Sequence, residues 1–104
     1  MSLPSLSHLQ FAILDILEGR SRSGKFVRVK LAERGIDRNG PMFYQIMARL
    51  EDAGFVEGWY EQKKIEDTTV RERTYKITGD GVHALNDVRL FYVSSASSAV
   101  NGAR

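Results

Sequence analysis

The chain contains no cysteine, so disulfides and thiolate metal sites are excluded; a reducing compartment is allowed by this absence but not demonstrated by it. No apolar run is long enough to span a bilayer, and Met1-Ser2-Leu3-Pro4 has neither the basic n-region nor the apolar h-region of a signal peptide. A soluble, cytoplasmic protein is the expectation. Histidine is scarce: His8 and His83 lie far apart with no cysteine partner and no ligand spacing, so neither a metal nor a cofactor is expected. No serine sits in a Gly-x-Ser-x-Gly elbow, and the acidic residues follow surface patterns rather than a catalytic grouping. The sequence therefore predicts no catalytic residues and no enzyme.

One motif points the other way. Gly19-Arg20-Ser21-Arg22-Ser23-Gly24-Lys25 reproduces the GxxxxGK of a phosphate-binding P-loop. The next residue is Phe26, where magnesium requires a Ser or Thr ligand, and a helical pattern precedes the motif in place of a strand. A loop joining two helices accounts for it better than a nucleotide site.

At 104 residues and 42% hydrophobic, the chain suits one small domain whose core is marginal unless a partner buries more surface, so homo-oligomerisation is expected. The net charge is only +2, but it is segregated. Residues 20 to 49 carry eight basic against two acidic residues, a net +6, and residues 50 to 70 carry two basic against six acidic, a net −4. The first segment is a candidate phosphate-binding face; a mixed solvated surface explains this segregation less well.

Gly40-Pro41-Met42-Phe43-Tyr44-Gln45-Ile46-Met47-Ala48-Arg49-Leu50-Glu51-Asp52-Ala53-Gly54 reads as a helix with both ends encoded. Pro41 suits the first helical position and Gly54 the left-handed stop. Phe43, Met47, Leu50 and Ala53 recur at helical spacing, which leaves Gln45, Arg49 and Asp52 for the outer side. Before it, Leu9, Ala12, Ile13, Ile16 and Leu17 mark a first helix, with Phe11 and Leu14 on a flank and Gly19 as its stop. So wide an apolar arc predicts a helix sandwiched between its own domain and a second subunit. Arg20 to Ser23 form a polar loop, and Phe26, Val27, Leu31 and Ala32 give a second helix closed by Gly35.

From Val56 the period changes to that of strand formers, with Val56, Trp59, Tyr60 and Ile65, then Val70, Tyr75 and Ile77, a β-hairpin with its turn near Glu66 to Thr69. Thr78 can cap a fourth helix over about 79 to 93, in which Leu85, Val88 and Tyr92 repeat as a pairing seam would. From Ser94 the residues are small, with almost nothing to bury, and a disordered tail over 94 to 104 is expected. The fold class is then α+β, a winged helix-turn-helix of three helices and a two-stranded wing with a C-terminal dimerisation helix, in one domain over 1 to 93.

The order Tyr44, Met47, Leu50, Gly54, Phe55, Val56, followed by Arg73, Tyr75, Thr78 and Gly81, resembles the PadR family of bacterial transcriptional regulators over about Leu6 to Tyr92. That family carries Tyr-x-x-Leu-x-x-Leu-x-x-x-Gly-Leu-Ile and then a basic wing ending Tyr-x-Leu-Thr-x-x-Gly. Lys25 and Phe26 stand where members often have Tyr after the glycine opening helix two, and Gly40-Pro41 reverses a common order. The short C-terminal part resembles the short PadR subgroup, in which a dimer seam is built from helices one and four. The resemblance implies a dimeric regulator of double-stranded DNA, a repressor, with two recognition helices addressing half-sites about one turn (~34 Å) apart. It also implies response to a small aromatic effector, for which Phe91, Tyr92, Phe11 and Trp59 supply rings; burial in core or seam is the alternative for each.

In such a fold the third helix enters the major groove and the wing meets backbone or minor groove. The DNA-binding candidates are Arg38, Asn39, Gln45 and Arg49 near that helix and Lys63, Lys64, Arg71 and Arg73 on the wing, with Arg28 and Lys30 weaker. Tyr44 either donates its hydroxyl to a phosphate or packs with that hydroxyl at the rim of the core. For the dimer interface the candidates are Leu9, Ile13, Leu85, Val88 and Tyr92. The competing function is a winged helix used for protein contacts through the acidic 50 to 70 segment, without specific DNA binding.

Overall fold

A computed structural model of the chain describes the backbone of residues 6 to 102 and the side chains of residues 6 to 93. Its elements run α1 (His8–Leu17), β1 (Arg22–Ser23), α2 (Gly24–Glu33), α3 (Gly40–Asp52), β2 (Val56–Ile65), β3 (Thr68–Ile77) and α4 (Gly79–Gly102). The three strands form one antiparallel sheet in the order β1-β3-β2. The architecture is α+β, three helices against a small sheet whose long hairpin projects as the wing, with a fourth helix behind.

Each helix is bounded by local chemistry. Ser7 and Gln10 exchange side-chain bonds at the start of α1 as a capping box. Ser23 accepts from the Phe26 N–H at 3.1 Å and Asn39 from the Met42 N–H at 2.9 Å, opening α2 and α3. At the end of α3 the Phe55 N–H reaches the Leu50 carbonyl at 3.0 Å and the Gly54 N–H that of Glu51 at 2.9 Å. This double closure needs a left-handed residue, and Gly54 supplies it at φ 82°. Thr78 then joins two elements: its hydroxyl donates to the Gly54 carbonyl at 2.6 Å and accepts from the Gly81 N–H at 3.0 Å, so it caps α4 while holding the end of α3.

The core lies where α1, α2, α3, the root of the wing and α4 converge. Ile13, Leu14, Leu17, Val27, Phe43, Met47, Leu50 and Leu85 are its most buried members. The wide apolar arc of α1 is used largely inside the domain, since Ala12, Ile13, Leu14 and Leu17 are buried and Leu9, Phe11 and Ile16 pack against the same cluster. This corrects part of the expected dimer interface. Ile13, Leu85 and Val88 are 0%, 0% and 3% exposed within one chain, so none of them is available to a partner. The spacing of Leu85 and Val88 reports burial, and the burying surface is the domain itself, while Tyr92, next in the series, stays exposed.

Two further expectations change. The polar loop after α1 contains a strand: Arg22 and Ser23 pair with Tyr75 and Thr74, adding a third strand to the sheet. Two residues are too few to show a period. The fourth helix does not end near residue 93 but continues to Gly102, over part of the stretch expected to be a tail; residues 103 and 104 lie outside the described residues, as does the N-terminal Met1 to Pro4 segment. Residues 94 to 102 hold no proline and include Ala96 and Ala99, so nothing in the sequence breaks the backbone ladder there.

Candidate nucleic-acid interface

The 3.6-residue period of α3 places Phe43, Met47 and Leu50 inward and leaves Met42, Tyr44, Gln45, Ala48 and Arg49 outside. Gln45 and Arg49 are one turn apart, and among the described residues neither side chain bonds to the rest of the fold. Met42, 48% exposed in the first turn, is an apolar member of this surface that sequence reading missed, since a methionine before a helical run reads as core.

Asn39 and Arg38, expected to meet DNA, have structural partners. The Asn39 carbonyl oxygen is occupied as the cap of α3, a use that its position just before Gly40-Pro41 encodes. Arg38 donates to the Asp37 carbonyl at 3.1 Å and its own carbonyl lies 3.5 Å from the Arg28 guanidinium, so its side chain stays exposed beside the start of α3. Tyr44 takes a position between the two readings: 40% exposed, its ring meets Phe43 edge-on at 5.0 Å and lies directly over Gly24 at the start of α2. A Cβ at Gly24 would stand 2.8 Å from the Tyr44 hydroxyl oxygen, so glycine there lets α3 sit close to α2.

The wing is a two-faced ribbon. The pairs Val56–Ile77, Gly58–Tyr75 and Tyr60–Arg73 alternate onto one face, apolar at the root and cationic toward the tip. Trp59–Thr74 and Glu61–Glu72 occupy the other. The first face turns toward α3, and between them lies a cleft of about 530 Å³ lined by Tyr44, Ala48, Glu51, Tyr60, Arg71, Arg73 and Tyr75. Arg71 stacks on Tyr60 with its guanidinium carbon 4.3 Å from the ring centre, and Arg73 lies over the same ring at 4.9 Å. At the tip Glu66 takes φ 57°, and a two-residue turn connects Ile65 to Thr68.

The wing cations differ in availability. Lys64 has no ion pair among the described residues. Lys63 is paired with Glu72 at 3.1 Å across the strands, and Arg73 with Glu51 of α3 at 2.7 Å. Burial lowers the proton affinity of Arg73, but the Tyr75 and Glu51 oxygens beside it outweigh that and hold it above its ordinary value. Burial pushes the Tyr75 hydroxyl up, against the pull of Arg73. Arg73 is thus less free than Lys64 or Arg71, since one of its donors is bonded to Glu51 inside the fold and its side chain is 26% exposed.

On the far side, Arg89 of α4 donates to Glu18 at 2.8 Å and also to Asp15, which Arg34, the C-cap of α2, reaches at 2.7 Å. Partial burial raises the Asp15 carboxyl, but the bonds from Arg34 and Arg89 together hold it below its ordinary value. At Glu18 the Arg89 bond comes first and lowers the carboxyl, against a smaller desolvation. Leu90, Tyr92 and Val93 of α4 are each more than 60% exposed, an apolar surface without cover in a single chain. Of the expected interface residues, Tyr92 alone is fully at the surface; Leu9 is half-buried against the core.

The loop resembling a P-loop is accounted for structurally. Gly19 turns the chain at φ 94°, Arg22 and Ser23 enter the sheet, Ser23 caps α2, and Arg22 stacks on Phe26 at 4.3 Å. No group of three His, Asp or Glu side chains among the described residues is placed to hold a metal, and no described helix is long and apolar enough to cross a membrane.

No protein-family model and no curated protein sequence matches the chain. Solved structures do. A PadR family transcription regulator from Clostridium difficile R20291 superposes with a TM-score of 0.76 at 16% identity, covering 94% of this chain and 100% of that one. A PadR-like transcriptional regulator from Bacillus cereus gives 0.73 at 18% identity over 92% and 91%. Bacillus subtilis PadR, solved in complex with operator DNA, gives 0.65 at 24% identity over 79% of this chain and 46% of that one. In fold, the chain is a PadR-like winged helix.

Proposed function

We propose that this chain is a sequence-specific DNA-binding transcriptional regulator that acts as a homodimer, with α3 as the recognition helix and the wing as a flanking contact. The observation that carries the reading is the pair Gln45 and Arg49, exposed one turn apart on a helix capped at both ends and free of side-chain partners among the described residues. Glutamine and arginine are the side chains that pair in bidentate fashion with adenine and guanine. Arg71 and Lys64 on the wing and Arg38 before α3 extend the cationic surface to either side for phosphates. That Bacillus subtilis PadR, similar in fold, was solved in complex with operator DNA supports DNA as the partner here.

The exposed Leu90, Tyr92 and Val93 of α4 support pairing of two copies through that helix, and Phe91 against Tyr92, edge-on at 5.4 Å, adds aromatic surface there for a flat effector. Repression follows from occupation of an operator by such a dimer.

The test is selection of bound duplexes from a random pool, followed by binding to the selected and a scrambled duplex over a salt series. The selected duplex should be preferred by orders of magnitude, with affinity falling steeply as salt rises. Arg49→Ala should weaken it and relax one base position. Equal, feeble binding to every duplex refutes the proposal and favours a protein-contact module.

A further inference from the structure

We propose that Glu51, Arg73 and Gly58 form a latch that fixes the direction of the wing against α3, so that Arg73 is a positioning residue and Arg71 the wing's free guanidinium. The consequence for DNA rests on the function proposed above; the latch itself does not.

Glu51 lies in the last turn of α3 and Arg73 on β3, and their side chains meet at 2.7 Å with 26% exposure on each. A carboxylate in that turn opposes the helix dipole, so its presence is unfavourable without a cation supplied from elsewhere. The cation comes from the wing, 22 residues away in sequence. The guanidinium is held on its other sides by rings, over Tyr60 at 4.9 Å and Tyr75 at 5.6 Å. Arg71 shares the Tyr60 ring but has no carboxylate partner among the described residues.

Gly58 is the seat of the latch. A Cβ at this position would fall far inside van der Waals contact with Glu51 Oε1 and 2.8 Å from Arg73 Nη2. Its φ is not in the left-handed region, so neither a turn nor the backbone requires glycine here. The approach of the carboxylate does. The wing otherwise extends from the core as a two-stranded ribbon, which by itself is a weakly defined element. A tie between its flank and the end of α3 sets its angle to the recognition helix and keeps the cleft open.

The latch predicts signs that a phosphate-contact role does not. Glu51→Gln removes a negative charge beside the DNA surface, so electrostatics alone predicts tighter binding; loss of the latch predicts binding weaker by about threefold to fivefold. Gly58→Ala leaves every charge in place, and the atom it meets is the end of a flexible side chain that swings away, so the fold persists while the pair is lost. It should weaken binding to the same extent, and the double variant should be no worse than either single one, because both break one contact. Were Arg73 a phosphate contact, Arg73→Ala would flatten the slope of log affinity against log salt by about 0.9; the latch predicts a smaller change.

The experiment joins two readouts on the full chain. Residual dipolar couplings of wing amides relative to α3 report wing direction without DNA, and the salt series on the selected duplex reports the consequence. We expect both Glu51→Gln and Gly58→Ala to reduce the wing couplings while those of α1 and α2 stay unchanged. Couplings unaltered in both variants, or tighter DNA binding by Glu51→Gln, overturn the latch. If the wild-type chain binds no duplex, the proposed function fails and the couplings still decide the latch.

Discussion

Arg89→Met tests whether α4 is fastened to the front of the domain by charge. Methionine keeps the aliphatic stem, so the packing of α4 on α1 survives; Asp15 retains Arg34 at 2.7 Å, and Glu18, 43% exposed, is left to water. What is lost is the bond to Glu18 at 2.8 Å and the bond to Asp15, among side chains 29% to 43% exposed. Exposed pairs contribute about 0.2–1 kcal/mol each, so two pairs sharing one guanidinium give about 1 kcal/mol here. For a domain of this size that corresponds to a Tm lower by about 4–8 °C. Both carboxyls are held below their ordinary values of 3.8 and 4.5. A depressed carboxyl contributes stability above its unfolded value and loses it as pH falls through the folded one. The Tm gap between wild type and variant should therefore be full at pH 7, narrow below pH 4.5, and shrink in about 0.5 M salt. Calorimetry over that grid is the assay. A gap as wide at about pH 3 as at pH 7, or one that salt leaves unchanged, refutes the charge account and assigns the effect to packing.

Gly81→Ala should cost about 2–3 kcal/mol, seen as a large drop in Tm, because the new methyl collides with the Phe55 backbone carbonyl and stands 2.7 Å from Ile77 Cγ1, neither of which swings aside cheaply. A stability within about 0.5 kcal/mol of wild type would mean that α4 shifts at its start with little loss. Leu90→Glu, at a site 64% exposed, should leave the monomer fold intact by circular dichroism and halve the mass in sedimentation. An unchanged dimer mass would remove this part of α4 from the interface.

How much was legible from sequence depended on whether a signal was local. The bounds of α3 follow from Pro41 and Gly54, and the start of α4 from Thr78, because caps act over three or four residues. The hairpin and its tip near Glu66 were readable for the same reason, whereas its register was not assigned. What failed was long-range. The spacing of Leu85 and Val88 announced burial but not the burying surface, which is α1 and its neighbours in the same chain. Arg73 shares a strand face with Tyr75 by simple alternation, yet nothing near it in sequence indicates Glu51. Asn39 was a missed local signal: an asparagine at the start of a helix is a cap before it is a ligand. At the DNA surface itself, Gln45 and Arg49 were legible because exposure on an amphipathic helix follows from its period.

Thr78 carries a mechanical consequence. One residue holds the Gly54 carbonyl just past α3 and the Gly81 and Val82 amide hydrogens of α4, with a further bond from its own N–H to the Phe55 carbonyl at 3.0 Å. The wing separates the two helices in the chain, yet its return brings them together in space at Thr78, which ties the start of α4 to the turn that ends α3. In a pair of copies joined through α4, the span between the two α3 helices is then set by α4 geometry and transmitted at Thr78, so the spacing of half-sites is a property of the fourth helix as much as of the third.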